Sequence, residues 1–493
     1  MNQQFTDLYT VLGVGRDAEP DEIEAAFTAW KARMDAAEAV DDKEWERVRY
    51  AYEVLSSPQR RQIYNSLIVE TAASPLELSL TLSAEGLPLL DTPQALYVLL
   101  TLRPHDEVGE RRPLNLGLVV DRSTSMRGER LEKVAAAVGL LLDQLGPEDM
   151  LSLISFSDRA EVVLPAATVG TAAHSSNAET AAAWRSPRRQ LQSIAASGGT
   201  EIYQGLRAGL AQVARPSAKE YTSHLILLTD GHTYGDAAAC LHLAEQAAAH
   251  GIGITAFGLG ADWNDAFLDA LVAPSGGQSH YIEKPDDVLP HLEGRLQGLG
   301  AIHARNLTLS HSWPGQLTLR SAFKLAPLPQ PLPTHLDPIP LGDLEGRSPM
   351  TVLLEFLLEP QPIASRFRLP FEVQFAAAGG GAQTTGRSAR LVADSSYHRD
   401  DVPVPQPLVE AVRWLNLYRM QEKAWEEAQS GKLDTAVARM QKLTARYMET
   451  GDLRLARQAQ LEAQQLAHRG QMSSEGRKLL KYGTRSLMRP DES

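Results

Sequence analysis

The stretch Leu114–Arg127, LNLGLVVDRSTSMR, decides how the 493-residue chain is read. Its largely apolar opening, Leu114 to Val120, has the character of a buried strand. The strand delivers Asp121 to its carboxyl end. Ser123 and Ser125 follow at alternate positions, and a helical pattern begins after them. In an open α/β sheet, ligands bind just beyond the carboxyl ends of the strands. One carboxylate and two hydroxyls there make a cluster of hard oxygen donors, the kind that suits Mg²⁺ or Mn²⁺. Taken alone, an Asp and two Ser between a strand and a helix also suit a turn and an N-cap.

Two later stretches add to the pattern. SGGTEIYQGL, residues 197–206, places Thr200 ahead of a helix. SHLILLTDG, residues 223–231, is a second buried strand that ends in Asp230 and Gly231. In this order the residues resemble the von Willebrand factor A family and its metal-ion-dependent adhesion site. That motif is Asp-x-Ser-x-Ser, then a Thr, then an Asp before Gly. The resemblance implies a Rossmann-like fold and a metal site made by Asp121, Ser123, Ser125, Thr200 and Asp230. It also implies capture of a protein partner through an Asp or Glu offered to the metal.

Composition narrows the alternatives. The net charge of −13 argues against generic nucleic-acid binding, which relies on Lys and Arg neutralising phosphates. A hydrophobic fraction of 43% supplies packed cores, and the length suggests about three domains. The single cysteine, Cys240, reads as a small core residue in an Ala-rich helix. The first residues lack a basic-then-apolar leader, and no run of apolar residues is long enough to span a membrane. A soluble cytoplasmic protein is the expectation.

Along the chain, residues 1–70 read as helices. FTDLYTVLGV, DAEPDEIEAAFTAWKARM and DDKEWERVRYAYEVLSSPQRRQIYNSL resemble the J-domain family in their order. Ile23, Phe27 and Trp30 recur at helical spacing. The family's His-Pro-Asp loop is missing from the first 100 residues, and Asp35-Ala36-Ala37 aligns in its place. That departure implies loss of co-chaperone activity and leaves a docking or packing element. Residues 76–112 turn to alternating strand character, in Leu76, Leu78, Leu80 and Leu82. Residues 113–298 alternate strand and helix, with MLSLISFSD and AEVVLPA as a hairpin around Ser157-Asp158-Arg159. Gly170–Pro187 reads as a loop. Residues 299–398 return to strands separated by Pro- and Gly-rich turns, with six prolines making Pro327–Pro340 irregular. The fold class expected is therefore mixed: an α/β domain inserted in a β-sandwich, flanked by J-like helices and a C-terminal helical domain, 403–489. Bacterial A-domain proteins labelled calcium-activated chloride-channel-like look similar in this arrangement. In the last domain, Gly431-Lys-Leu-x-x-Ala436 recurs as Gly451-Asp-Leu-x-x-Ala456, each Gly ending one helix before the next begins. Arg477, Lys478, Lys481, Arg485 and Arg489 form a basic tail that reads first as a solvated face, second as a dock for an acidic partner.

For chemistry, metal-assisted hydrolysis needs a positioned base or an activated water. His232, two residues after Asp230, is the one candidate base, and a rim loop residue is its plainer reading. No phosphate loop, zinc spacing or Gly-x-Ser-x-Gly motif is present. The ranking is a binding module first, a metal-dependent hydrolase second, and a scaffold with a purely structural metal third. An AAA+ ATPase partner is a family expectation.

Overall fold

The computed structural model describes residues 8–487 apart from 16–17, 36–41, 59, 62–63, 65–74, 106–111, 215–220, 232–234, 312, 328, 347–348, 378–381 and 398–402. The chain divides into two compact units, Met1–Pro75 and Leu76–Ser493. In the first, α1 (Leu8–Leu12), α2 (Pro20–Asp35) and α3 (Asp42–Leu55) bury Tyr9, Leu12, Ile23, Val48, Ala51 and Leu55. Phe27 stacks on Tyr52 and Trp45, so the apolar spacing seen in the sequence becomes one packed face. The Tyr64 hydroxyl accepts the Leu8 N–H at 2.8 Å and ties the end of this unit to its beginning. Of the residues aligned with the missing His-Pro-Asp, Asp35 ends α2, while Ala36 and Ala37 lie outside the described residues.

The second unit opens with β1 (Leu76–Leu82), β2 (Gly86–Leu87) and β3 (Gln94–Pro104). The chain then leaves for the α/β domain and returns as β10 (Ile302–His311), β11 (Leu317–Ala326), β12 (Gln330–Leu332), β13 (Ile339–Glu345), β14 (Met350–Leu358), β15 (Ser365–Ala377) and β16 (Ala382–Ala393). Two five-stranded sheets result, ordered β1-β3-β14-β11-β12 and β13-β10-β15-β16-β2. Their facing side chains, among them Leu78, Val98, Leu309, Leu354, Phe356, Phe371 and Leu391, form one core. Strand β3 lies between β1 and β14, so the opening strands and the returning strands share a sheet. The prolines of Pro327–Pro340 do not keep that stretch wholly irregular: Gln330–Leu332 pairs with β11 as an edge strand, where Pro331 is tolerated.

The inserted domain has a six-stranded sheet made of β4 (Leu114–Asp121), β5 (Met150–Phe156), β6 (Ala160–Thr168), β7 (Thr222–Thr229), β8 (Gly253–Leu259) and β9 (Gln278–Ile282). Its order is β6-β5-β4-β7-β8-β9, parallel except for the β5–β6 hairpin. Helices cover both faces. One face carries α4 (Glu129–Gln144) and α10 (Val288–Gly300), packed with α5 (Ala178–Trp184) and α6 (Pro187–Gln192). The other carries α7 (Ile202–Val213), α8 (Ala237–Ala249) and α9 (Asp265–Val272). Every residue of β4 and β7 is buried, as strands covered on both faces require. Gly170–Pro187 departs from the expected loop: α5 forms there, capped by Asn177, which accepts the Thr180 N–H at 3.0 Å, and anchored by buried Trp184.

The last four helices are α11 (Gln406–Gln429), α12 (Leu433–Glu449), α13 (Leu453–Arg469) and α14 (Ser474–Leu487). Gly431 and Gly451 sit between successive helices at φ +77° and +81°, a conformation that admits glycine at little cost. Leu408, Ala411, Leu415 and Tyr418 of α11 cover the outer face of the first sheet at Leu99, Phe323, Leu325 and Leu353. The basic tail is not a solvated face. Lys478, Lys481 and Arg485 are buried against the α/β domain, so its acidic partner is internal. Lys481 Nζ lies 2.5 Å from Asp265 and 2.8 Å from Asp269, and Arg485 pairs with Asp269 at 2.7 Å. Arg489 lies outside the described residues.

Burial works against the charge of Asp269, but the Arg485 and Lys481 cations outweigh it and hold its carboxyl below the usual carboxylate range. A depressed acid contributes stability that is complete above its unfolded pKa and fades as the pH falls below it. Asp269→Asn leaves these cations under-compensated in a buried setting and should cost about 3–5 kcal/mol. Urea unfolding at neutral pH reads that difference, and the gap between wild type and variant should shrink as the pH drops below about 4.

Candidate metal centre

Strand β4 sits between β5 and β7, where chain connections diverge to opposite sides of the sheet. Such a divergence places ligand sites of open α/β sheets at the carboxyl ends of the strands, and Asp121 and Asp230 fall at those ends of β4 and β7. Asp121 is completely buried. Its Oδ1 accepts the Ser123 N–H at 2.8 Å and its Oδ2 accepts the Thr229 hydroxyl at 2.6 Å. Burial pushes its pKa up to about 6, against the hydrogen bonds from Thr229 and Ser123, with the charge of Asp230 adding to the rise. Asp121 is therefore a dry carboxyl with a second acid close by.

The next residues turn through a short 3₁₀ segment, Thr124–Met126, pinned by the buried Met126 side chain. This puts Ser123 Oγ and Ser125 Oγ 3.0 Å apart. Ser125, exposed at the rim, donates to Asp230 Oδ1 at 2.7 Å. The loop before α7 closes the third side. Ser197 N–H donates to the Arg122 carbonyl at 2.8 Å, and the Thr124 N–H and hydroxyl both reach the Gly198 carbonyl. Asp158, in the β5–β6 turn, accepts the Gly199 N–H at 2.7 Å. A β-carbon at Gly198, where φ is +77°, would come within 2.4 Å of that carboxylate, so only glycine lets the loop approach. The loop delivers buried Thr200 beside Gly231: a β-carbon on Gly231 would lie 3.0 Å from Thr200 Oγ1. All five residues picked from the sequence thus gather at the carboxyl ends of β4 and β7. His232 lies outside the described residues.

The donor set suits a small hard cation. Oxygens at adjacent corners of an octahedron with bonds of about 2.1 Å are about 3.0 Å apart. The Ser123–Ser125 and Ser125–Asp230 oxygen separations of 3.0 and 2.7 Å are close to that edge. Among the described residues no three His, Cys, Asp or Glu side chains gather as a metal site, so a cation here relies on two carboxylates supplemented by hydroxyls. Three participants were not legible as site residues: Thr229, which orients Asp121; Asp158, which holds the Gly199 loop; and Arg130, whose Nη1 lies 2.5 Å from Asp230 Oδ2. A cation in the first turn of a helix, against the helix dipole, was the one available signal for Arg130.

Comparison with known proteins agrees with this architecture. The family model for the von Willebrand factor type A domain matches residues 115–294, the DnaJ domain matches 7–65, and the Sll0103-like C-terminal alpha-helical domain matches 406–490. The chain belongs to the von Willebrand factor type A domain proteins and carries a DnaJ-like domain at its N-terminal side. It is 30% identical over 293 residues to the uncharacterized protein sll0103 of Synechocystis, covering 58% of this chain and 67% of that one. It is 28% identical over 193 residues to human inter-alpha-trypsin inhibitor heavy chain H4, covering 38% of this chain and only 20% of that relative's length. The solved von Willebrand factor type A protein from Catenulispora acidiphila superposes with a TM-score of 0.64 at 17% identity, over 83% of this chain and 96% of that one, and shares the fold.

Thr229→Val tests the support beneath the site. The substitution keeps the shape but removes the donor to a buried carboxylate, and should cost about 1–3 kcal/mol. Equilibrium unfolding in chelator measures it; an unchanged midpoint would mean that Asp121 is satisfied without Thr229.

Proposed function

We propose that this protein is a metal-dependent protein-binding scaffold. Asp121, Ser123, Ser125, Thr200 and Asp230 hold Mg²⁺ or Mn²⁺, directly or through water, and the ion captures an Asp or Glu of a partner. The oxygen cluster carries this reading: two acidic residues and three hydroxyls gather at one pair of strand ends, and the Ser123, Ser125 and Asp230 oxygens are spaced near an octahedral edge. Because the hydroxyl donors are neutral, the ion keeps enough electrophilicity for an additional carboxylate. Such a bond contributes on the order of several kcal/mol, part of which offsets ordering and desolvation. A rim salt bridge contributes about 0–1 kcal/mol.

The rest of the chain fits a scaffold. The DnaJ-like domain retains its packed helices without the His-Pro-Asp signature, which suits docking rather than stimulation of a chaperone. The C-terminal helices pack on both the sandwich and the α/β domain, holding the metal face in a fixed frame. An AAA+ ATPase is the partner class the family suggests, and the cytoplasm is the setting we assign.

Two measurements test this reading. Manganese titration of chelator-treated protein should show one site, lost in the Asp121→Ala, Ser123→Ala double variant; equal affinity in the double variant would refute the site. Once a partner is in hand, its affinity should drop in EDTA and in Thr200→Ala. Separately, the full chain added to a heat-shock chaperone should leave basal ATP turnover unchanged, and a clear acceleration would overturn the docking role of the DnaJ-like domain.

A further inference from the structure

We infer that Arg130 is a built-in competitor for the metal: it shares Asp230 with the bound ion and sets a deliberately modest affinity. This rests on the metal reading above and adds a residue that the adhesion motif does not contain. Arg130 is the second residue of α4, whose first turn also holds Glu129 and Glu132. Acidic residues belong at that end of a helix, and a cation there opposes the dipole. Helix formation therefore does not account for Arg130.

The site does. Asp230 is fully buried and divides its oxygens between two donors: Oδ1 takes the Ser125 hydroxyl at 2.7 Å, and Oδ2 takes Arg130 Nη1 at 2.5 Å. The Arg130 side chain keeps about a third of its surface, 34%, in solvent, so it reaches the buried Asp230 from the solvent side. Its seat is shaped for it. The guanidinium lies over Gly260, where φ is +70° and a β-carbon would come 3.0 Å from Nη2. A larger residue at Gly260 would push the cation off Asp230.

The electrostatic consequence follows directly. A divalent ion needs the negative charge of Asp121 and Asp230, and Arg130 already neutralises part of it. The guanidinium stays protonated at any accessible pH, so it cannot relieve the repulsion by losing a proton as Lys or His would. The ion is consequently held less tightly than two buried carboxylates would otherwise hold it. A partner carboxylate, which adds negative charge beside the ion, then recovers binding that Arg130 withholds. The chain's own cation in this way links metal loading to partner capture.

Arg130→Gln, Arg130→Met and Arg130→Lys separate charge from positioning. Mn²⁺ affinity is read by the paramagnetic resonance of free Mn²⁺, and folding by the melting temperature in chelator. Removing one unit of nearby positive charge should tighten Mn²⁺ binding about tenfold in Arg130→Gln and Arg130→Met, while Arg130→Lys stays within about threefold of wild type. The two neutral variants should also melt lower than wild type in chelator and recover that loss on saturation with Mn²⁺. Affinity that is unchanged or weaker in both neutral variants would overturn the competitor role while leaving the metal reading intact. Binding by the neutral variants where wild type shows none would support the competitor role in its strongest form. Absence of binding in every variant would remove both proposals together. Should Arg130→Gln fail to fold, the more apolar Arg130→Met carries the comparison alone.

Discussion

The pairing of β3 with β14 is the constraint on which the second unit depends. Residues Gln94–Leu102 run antiparallel to Met350–Leu358 along an unbroken ladder, although the whole α/β domain separates them in sequence. Without β3 and β1, the first sheet would present β14 as a bare edge and uncover part of the sandwich core. The ladder holds β3, the strand that leads into the inserted domain, while β10, which leads out of it, lies in the second sheet. Further contacts then lock the domain's orientation. Lys324 is buried between the two, donating to the Gly276 and Leu341 carbonyls at 3.1 and 2.9 Å, and burial lowers its pKa to about 8. Arg295 of α10 grips Glu345 of β13 with two short hydrogen bonds. Gly276 and Gly342 meet backbone to backbone, a contact that no β-carbon would permit.

Much of this was legible from residue patterns because the relevant forces are local. Leu114–Val120 and His224–Thr229 read as buried strands since their apolar runs must be covered on both faces. Asp121 and Asp230 followed from the strand ends, and Gly431 and Gly451 from the backbone freedom that helix ends demand. The alternation of Leu76, Leu78, Leu80 and Leu82 announced strands that an α/β domain does not need, and hence a sandwich split by an insertion. What stayed hidden depends on distant partners. The basic residues of α14 look solvated in sequence because the acids they pair with are as much as 216 residues away; Asp265 and Asp269 reach them only through the tertiary fold. The strand at Gln330–Leu332 was masked by its prolines, which an edge position accommodates. Helix α5 was masked by small residues with weak periodicity, and its cap at Asn177 and its anchor at Trp184 are what stabilise it. Thr229 and Arg130 have no meaning until Asp121 and Asp230 are placed beside them.

Two pairs of acids on the α/β domain, Asp265 with Asp269 and Asp121 with Asp230, are compensated differently. Asp265 and Asp269 on α9 receive three cations from α14, Arg477, Lys481 and Arg485, and need nothing from outside. Among the described residues Asp121 and Asp230 receive one, Arg130, and on the function proposed above a divalent ion would supply the rest. The two sites are physically joined. Ser474 donates to the Ala261 carbonyl at 2.8 Å, and Lys478 donates to that carbonyl and to the Trp263 carbonyl. These bonds fix the loop that begins at Gly260, the residue beneath the Arg130 guanidinium. The C-terminal helix therefore holds, through one short loop, the seat of the cation that contacts Asp230. A displacement of α14 would first expose its own charged pairs, at a cost of several kcal/mol by the usual penalty for breaking buried ion pairs. The seat of Arg130 is accordingly tied to α14, and the charge it brings to Asp230 is set by the fold around Gly260.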